Sequence, residues 1–387
     1  MECSINIDGV QESKSGGYSI DCYCIKVKNC QTIYPLKLIK PEKKFKCNDQ
    51  QEIKKTLNEL SALSNITNAI FDNPKRSIAR CALNHASTYA CEYCESPATH
   101  VTLNSMEVKR TQLKRENIIN TIEFLKSIPG NSATKIRDTA RITALQSLLN
   151  DLNACTKKRH LVWPETTKNG PPRTQHEIEL LTSRLPDPGL GKEEKKGFYA
   201  ASHFLTLPNF HFIDNIPAEY MHSVCQGVIK RLLELTFKVG ENRERRITRV
   251  LSDPSCYNEC IRNVRVPREF SRRCRTLDLG VMKAQEYRNV ILFFTPIIIK
   301  CIPQIYKKEI QLWLHLWFMI RACTLPNDEF EQVNDNAIEE SCHQFYKMYE
   351  EMYGPKNCTY SIHVVASHLL KIRGQVPLTE RLSLIHI

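Results

Sequence analysis

Residues 4–39 read SINIDGVQESKSGGYSIDCYCIKVKNCQTIYPLKLI, and this stretch decides the fold class. Residues 4–10 are a short β-like run that ends in Asp-Gly. Residues 18–27 are rich in Tyr, Ile, Val and Cys with partial alternation, and residues 32–39 form a third apolar run. The punctuation between the first two runs, SKSGG, has hairpin character. Residues 49–63 follow as a helix, because Ile53, Leu57, Leu60 and Leu63 fall at helical spacing. TNAIFDNP is then a brief apolar run closed by an acid and a turn, and KRSIARCALNHA reads as a second helix. Three antiparallel strands, a helix, a fourth strand and another helix make the opening of the chain α/β.

The remainder is mainly helical. Residues 109–152 have a helical, strongly basic pattern, and residues 196–373 return to long helical patterns, with a strong amphipathic helix expected over 224–237. Between them, residues 163–195 hold WPETTKNGPPRTQ and RLPDPGLGKEEKKG, whose Pro, Gly and charge content predicts a linker or a long surface loop. Residues 243–275 contain ten Arg, the densest basic segment. The net charge of +12 favours an anionic partner, nucleic acid being the commonest, although composition does not separate DNA from RNA or an acidic protein. No apolar signal peptide opens the chain, so the 17 Cys are read as reduced, most of them small core residues and a few available to metal. No membrane span is expected: residues 290–302 are too short and carry Pro296, and residues 312–320, with His315 and two Trp, suit a buried helix.

Several residues can carry chemistry. Asp8 and Asp72 stand at strand ends. A two-metal nuclease draws carboxylates from separate strands onto Mg²⁺, which prefers oxygen ligands. Asp-Gly and Asp-Asn-Pro are also plain turn formers. Cys91 and Cys94 form a CxxC, half of a tetrahedral zinc site. The rival reading is a thioredoxin-like redox motif, which normally opens a helix directly after a strand; here Asp72 and a helix come first, so zinc is preferred. His363 and His368 form an HxxxxH that can complete a Cys2His2 site. Five residues apart they do not share one face of a regular helix, so a helix end or distortion is required. Otherwise they are ordinary histidines on a partly buried helix. His222, near a helix start, reads as a packed residue rather than a ligand, since metal sites need several convergent ligands.

The order of the first elements is the opening order of the RNase H fold. Six segments, in order and across nearly the whole chain, also resemble the CACTA-type and related transposases, the group that includes the V(D)J recombinase catalytic subunit. They are INIDGVQESKSGG, IFDNPKRSIARCAL, CEYCESPA, LPNFHFIDNIPAEYMHSVCQGVIKRLLEL, VPREFSRRCRTLDLGVMKAQEYRNVILFFTPIIIK and YSIHVVASHLLKIRGQVPLTER. The resemblance implies an α/β, RNase H-like core with a large, mainly α-helical, zinc-braced insertion. Asp8 and Asp72 are then the first two catalytic acids, holding two Mg²⁺ ions. Cys91, Cys94, His363 and His368 are the ligands of a structural zinc that ties the far end of the insertion to the core. The implied function is metal-dependent nicking of transposon ends and strand transfer into target DNA, by a homo-oligomer in the nucleus. Basic residues in 109–141 and 243–275, among them Arg243, Arg245, Arg246, Arg272, Arg273 and Arg275, would contact phosphates.

The expected domains are a catalytic core over 1–105, a basic helical segment over 106–162, the linker or loop over 163–195, and a helical insertion over 196–381. Residues 382–387, LSLIHI, read as the translated end of a sequencing-library adapter. Two departures from the family pattern stand out. Glu219 occupies a position where the family usually has Asp. The third acid is expected beyond the HxxxxH and a Gly-Pro-Leu segment; GQVPLTER matches the lead-in, but LSLIHI follows. The chain as given is therefore expected to be incomplete and inactive, with Glu286 and Glu380 the nearest substitutes and Glu286 read as structural. The alternatives are a domesticated or decayed relative that binds DNA or protein without catalysis, and an unrelated zinc-stabilised helical scaffold in which Asp8 and Asp72 lie far apart.

Overall fold

The computed structural model describes residues 2–11, 19–27, 33–39, 46–61, 65–71, 73–101, 160–165, 170–237, 254–264, 276–279, 281–324 and 334–375, with a few isolated helical residues between 119 and 146. In β1 (Glu2–Gln11), Cys3, Ile5 and Ile7 are buried, the alternation that a strand covered on one face requires. β1 pairs antiparallel with β2 (Ser19–Val27), Ile7 opposite Tyr23, and β2 pairs antiparallel with β3 (Ile33–Ile39). Helix α1 (Lys46–Ser61) turns Ile53, Leu57 and Leu60 inward. It leads to β4 (Asn65–Phe71), which lies parallel to β1 and completes a mixed sheet in the order β3-β2-β1-β4. In β4, Ala69, Ile70 and Phe71 are all buried in succession, as expected for a parallel strand covered on both faces.

Helix α2 (Asn73–Ala79) is shorter than its apolar pattern suggests. The chain stops it with a Schellman closure: Cys81 takes a left-handed conformation (φ 52°), its N–H donates to Ile78 O, and the N–H of Ala82 donates to Ser77 O. Cys stands here where Gly is usual. The chain then runs into the loop that carries Cys91 and Cys94.

The chain divides into two compact units, one comprising residues 1–98 with 163–387 and the other residues 99–162. In the second unit β5 (Thr99–Val101) pairs antiparallel with β6 (His160–Val162). The expected basic helices of 109–152 fall almost wholly outside the described residues.

The first unit's larger core is helical. A π-helix, Met221–Ile229, runs directly into α4 (Lys230–Thr236). The reading of 224–237 as amphipathic holds: Val224, Cys225, Val228, Ile229, Leu232, Leu233 and Leu235 are buried, while Gln226, Gly227, Lys230, Arg231 and Glu234 line the more exposed stripe of this central helix. Around the same core pack α5 (Ser255–Arg262), α6 (Ala284–Asn289), the π-helical turn Val290–Phe294, α7 (Thr295–Cys301), α8 (Lys307–Ala322), α9 (Asp335–Tyr353) and α10 (Tyr360–Gln375). Gly227 permits a close approach of α10 to the central helix. A Cβ there would lie 2.5 Å from Ser361 Oγ, so a side chain would push α10 away from the central helix. α8 buries Leu312, Trp313, Leu316 and Met319, as the buried-helix reading of 312–320 predicts. No described helix is long and apolar enough to cross a membrane.

Sheet and helices are joined through residues 211–216. The N–H of Ala69 in β4 donates to Asn215 O (2.7 Å), so this turn occupies the free edge of the sheet. Arg80, just past α2, donates from Nη2 to the carbonyls of Phe212, Ile213 and Ile216 at 3.1–3.2 Å.

Candidate metal centre

Residues 163–195, expected to be a linker or a long surface loop, contain a helix followed by a largely exposed loop over 185–195. Residues 163–195 belong to the first unit, α3 (Gln175–Arg184) lies within them, and the segment just before α3 builds the floor of a Cys/His cluster. Thr174 and Glu177 form a capping box at the start of α3. Immediately before it, the buried Arg173 donates from Nε to the carbonyls of Cys91 (2.9 Å) and Cys94 (3.1 Å), and from Nη2 to Lys196 O (2.9 Å). The Arg173 N–H donates to Tyr93 O, and the Glu95 N–H to Pro171 O. Gly170 lies so close to the backbone at Ser96 that a Cβ would come within 2.0 Å of its nitrogen. The segment Gly170–Arg173 thus holds the CxxC loop in shape through main-chain bonds and one guanidinium.

The loop and α10 bring four ligand groups together. Cys91 Sγ lies 3.4 Å from His368 Nε2, and Cys94 Sγ lies 3.4 Å from His363 Nε2. All four ligand atoms are within 4.8 Å of one another. A tetrahedral ion with Zn–S about 2.3 Å and Zn–N about 2.0 Å separates sulfur from nitrogen by roughly 3.5 Å. The spacing therefore fits a Cys2His2 set that could hold a metal such as zinc. An ion held by all four would have a closed, all-protein set of ligands, the pattern of structural sites.

The histidines reach this point from a continuous α-helix. His363 is in the first turn of α10, its N–H bonded to Thr359 O, and His368 is five residues on. Their directions differ by about 140° at 100° per residue. Each ring nonetheless meets one sulfur, with the ring planes 85° apart and the centroids 5.1 Å apart. Both histidines lie within the regular helix, so neither the helix end nor the distortion expected from the sequence is what brings them to the sulfurs. Trp163 stacks along His363 (6.2 Å, 22°) and Tyr93 lies against His368 (5.2 Å). Tyr346 Oη and Ser367 Oγ each stand 3.5 Å from His363 Nδ1, facing the nitrogen that points away from the sulfurs.

Electrostatics favour a metal-ready sulfur. Hydrogen bonding from Cys91, reinforced by the two imidazoles, holds the Cys94 thiol far below the usual range, while burial pushes Cys91 well above it. The thiolate is the form that binds metal.

Between the two cysteines, Glu92 and Tyr93 point into the protein. Glu92 is buried and pairs with Arg76 of α2 (2.9 Å), and Tyr360, the first residue of α10, donates its hydroxyl to the same carboxylate. Arg76 also donates to the Tyr360 hydroxyl (3.2 Å). Burial opposes the Glu92 charge, but Arg76 and Arg80 outweigh it and hold the carboxyl below its ordinary value. Burial likewise opposes the Arg76 charge, and Glu92 with Tyr360 reverses that effect. The Tyr93 hydroxyl accepts the N–H of Ala218 (2.7 Å), and burial pushes its pKa up to about 12. The CxxC loop is thereby fixed to α2, to α10 and to the turn that precedes the central helix.

The other candidate residues fall as follows. Asp8 lies within β1, its backbone opposite Cys22, and not at a strand end as expected, because the strand pairs on to Gln11; Asp72 lies outside the described residues. The parallel register sets Ile7 beside Phe71, and these are the residues that precede the two aspartates in the chain. Arg243, Arg245, Arg246, Arg272, Arg273, Arg275 and Glu380 also lie outside the described residues. His222 belongs to no metal cluster among the described residues. Its Nδ1 is 2.6 Å from Glu219, whose carboxylate accepts the N–H groups of Met221 and His222. Glu219 thus does the capping work at this helix start that a shorter Asp could also do. Glu286 is a cap as well, accepting the Lys283 N–H (2.7 Å), in keeping with a structural role.

Arg173, Glu92 and Tyr360 were not evident from the sequence. The signal for the first was present, since TQHE at 174–177 is a capping-box pattern that announces a helix inside the supposed loop. Compared with known proteins, the chain matches no family model, no curated protein and no solved structure.

Two outcomes follow. Cys91→Ser should lower the zinc content of the purified, reduced chain by about one ion, because a closed site loses most of its affinity with one thiolate; unchanged content by elemental analysis would refute the assignment. Glu92→Gln should destabilise the chain by about 3 kcal/mol in denaturant titration, since it leaves the buried Arg76 charge uncompensated; a midpoint equal to the parent's would show that the pair carries no weight.

Proposed function

We propose that this chain is the catalytic part of a cut-and-paste DNA transposase, with an RNase H-like core and a helical insertion braced by zinc. The observation that carries the reading is the register of the central strand pair. β1 and β4 are parallel neighbours with Ile7 beside Phe71, and each of these residues is followed in the chain by an aspartate. Adjacent parallel strands are about 4.8 Å apart, a spacing suited to carboxylates that share a divalent-ion cluster. The strand order β3-β2-β1-β4, with three antiparallel strands before the helix and the parallel strand, is the order with which an RNase H core begins. The Cys2His2 cluster supports the same reading, because its ligands come from the loop after the second acid and from a helix at the far end of the insertion.

Asp8 and Asp72 would hold the ions through oxygen, the donor type that Mg²⁺ prefers. Bound Mg²⁺ would supply charge neutralisation at the scissile phosphate and activation of the attacking oxygen. The chain's own contributions would be to carry Asp8 on β1 beside the strand that Asp72 follows in the chain and, through the zinc ligands, to hold α10 against the α/β layer. Arg243, Arg245, Arg246, Arg272, Arg273 and Arg275 would contact DNA phosphates, which gives affinity and salt dependence rather than sequence choice. Transposon ends and target DNA are the proposed substrates, a homo-oligomer in the nucleus the proposed working form.

The test is nicking of supercoiled plasmid in Mg²⁺ by the full-length protein, with Asp8→Asn and Asp72→Asn compared singly. Each should reduce nicking by about 10³-fold or more, as for essential members of a cooperating set. Nicking that survives either substitution, or that the parent protein lacks, would overturn the reading.

A further inference from the structure

A second group of thiols converges away from the Cys2His2 cluster. Cys256 and Cys260 lie on α5, four residues apart and so on one face of the helix, and Cys301 is the last residue of α7. Their three sulfur atoms lie within 4.8 Å of one another. α5 is anchored by the buried side chains of Tyr257 and Ile261, the former packed edge-on against Phe237. This leaves Cys256 exposed and Cys260 half-buried beside the buried Cys301. All three are free thiols.

Core packing does not account for this arrangement. A cysteine that serves only as a small apolar residue is normally buried, and an exposed one is retained for its reactivity. Three convergent sulfurs, graded from buried to exposed, make a half-open bowl of soft ligands. Thiolates on one tetrahedral ion stand about 3.8 Å apart, so small side-chain rotations would bring these within bonding distance of a common centre.

We propose that Cys256, Cys260 and Cys301 form a second metal site, which takes one thiophilic d¹⁰ ion, zinc in the first instance, and leaves its fourth position open on the Cys256 side. On binding, the three thiols release three protons to solvent, the three sulfurs each donate an electron pair to the ion, and water fills the fourth position. Soft thiolate ligands select such ions over Mg²⁺ or Ca²⁺. The bound ion staples α5 to the end of α7, fixing a short helix that lies between the two halves of the basic stretch. An open coordination position distinguishes this site from the closed Cys2His2 set.

The experiment uses the full chain, reduced and free of air, loaded with zinc and weighed intact under native conditions. The parent should carry two ions. Cys256→Ser/Cys260→Ser should carry one, and Cys91→Ser/Cys94→Ser should carry the other one. The second variant separates failure of this proposal from failure of the Cys2His2 assignment. A further measurement needs no change at the new site. In the Cys91→Ser/Cys94→Ser chain, the rate of Cys256 alkylation should fall about tenfold with zinc at about ten times its dissociation constant, in proportion to the unoccupied fraction. The proposal fails if the Cys256→Ser/Cys260→Ser chain binds as many ions as the parent. It fails equally if zinc leaves Cys256 alkylation unchanged, or if the three thiols yield a disulfide and take up no ion after reduction.

Discussion

The contacts of Cys91 with His368 and of Cys94 with His363 join residues 277 and 269 positions apart. They clip α10 to the loop that follows the α/β layer. Loop-closure entropy grows only slowly with length, so a clip between distant segments opposes a cost not much larger than that of a short loop. An ion bound by four such ligands contributes its binding free energy to folding, because the unfolded chain does not present the set preformed. The clip does not act alone. Glu92, inside the CxxC, takes Arg76 and Tyr360 as partners, and Arg173 holds the loop's carbonyls from the other side.

This arrangement ties the Cys/His cluster to the sheet in a short series of contacts. α2 follows β4 after a single residue, Arg76 lies on α2, and Arg76 meets both the CxxC loop and the first residue of α10. Arg80 then reaches the turn whose Asn215 carbonyl closes the edge of β4. The π-helix at the centre of the helical core has a related role. Its Gly227 admits Ser361, and α10 can come close enough to present both histidines to the cysteines.

Much of the α/β part was legible from local pattern. Period-2 burial at Cys3, Ile5 and Ile7, and helical spacing at Ile53, Leu57 and Leu60, identify β1 and α1 without any tertiary information. The four metal-ligating residues were legible as pairs, since CxxC and HxxxxH are compact in sequence; their meeting was implied by a resemblance and not by the pattern itself. What could not be read was tertiary. Nothing local marks Cys81 as the left-handed residue that ends α2, because Gly or Asn is the usual choice there. Nothing local marks Arg173 as buried, because Arg in a Pro- and Gly-rich stretch is normally solvated. Cys256, Cys260 and Cys301 were invisible as a group because α5 and α7 are well separated in sequence and meet only on folding.

The central claim is that two sulfurs and two imidazoles share one ion, and X-ray absorption at the zinc edge tests it most directly. The measurement is best made on zinc-loaded chain carrying Cys256→Ser and Cys260→Ser, so that one site is observed. The predicted first shell has two sulfur scatterers at about 2.3 Å and two nitrogen scatterers at about 2.0 Å. A shell of nitrogen and oxygen alone, or one of four sulfurs, would contradict the account.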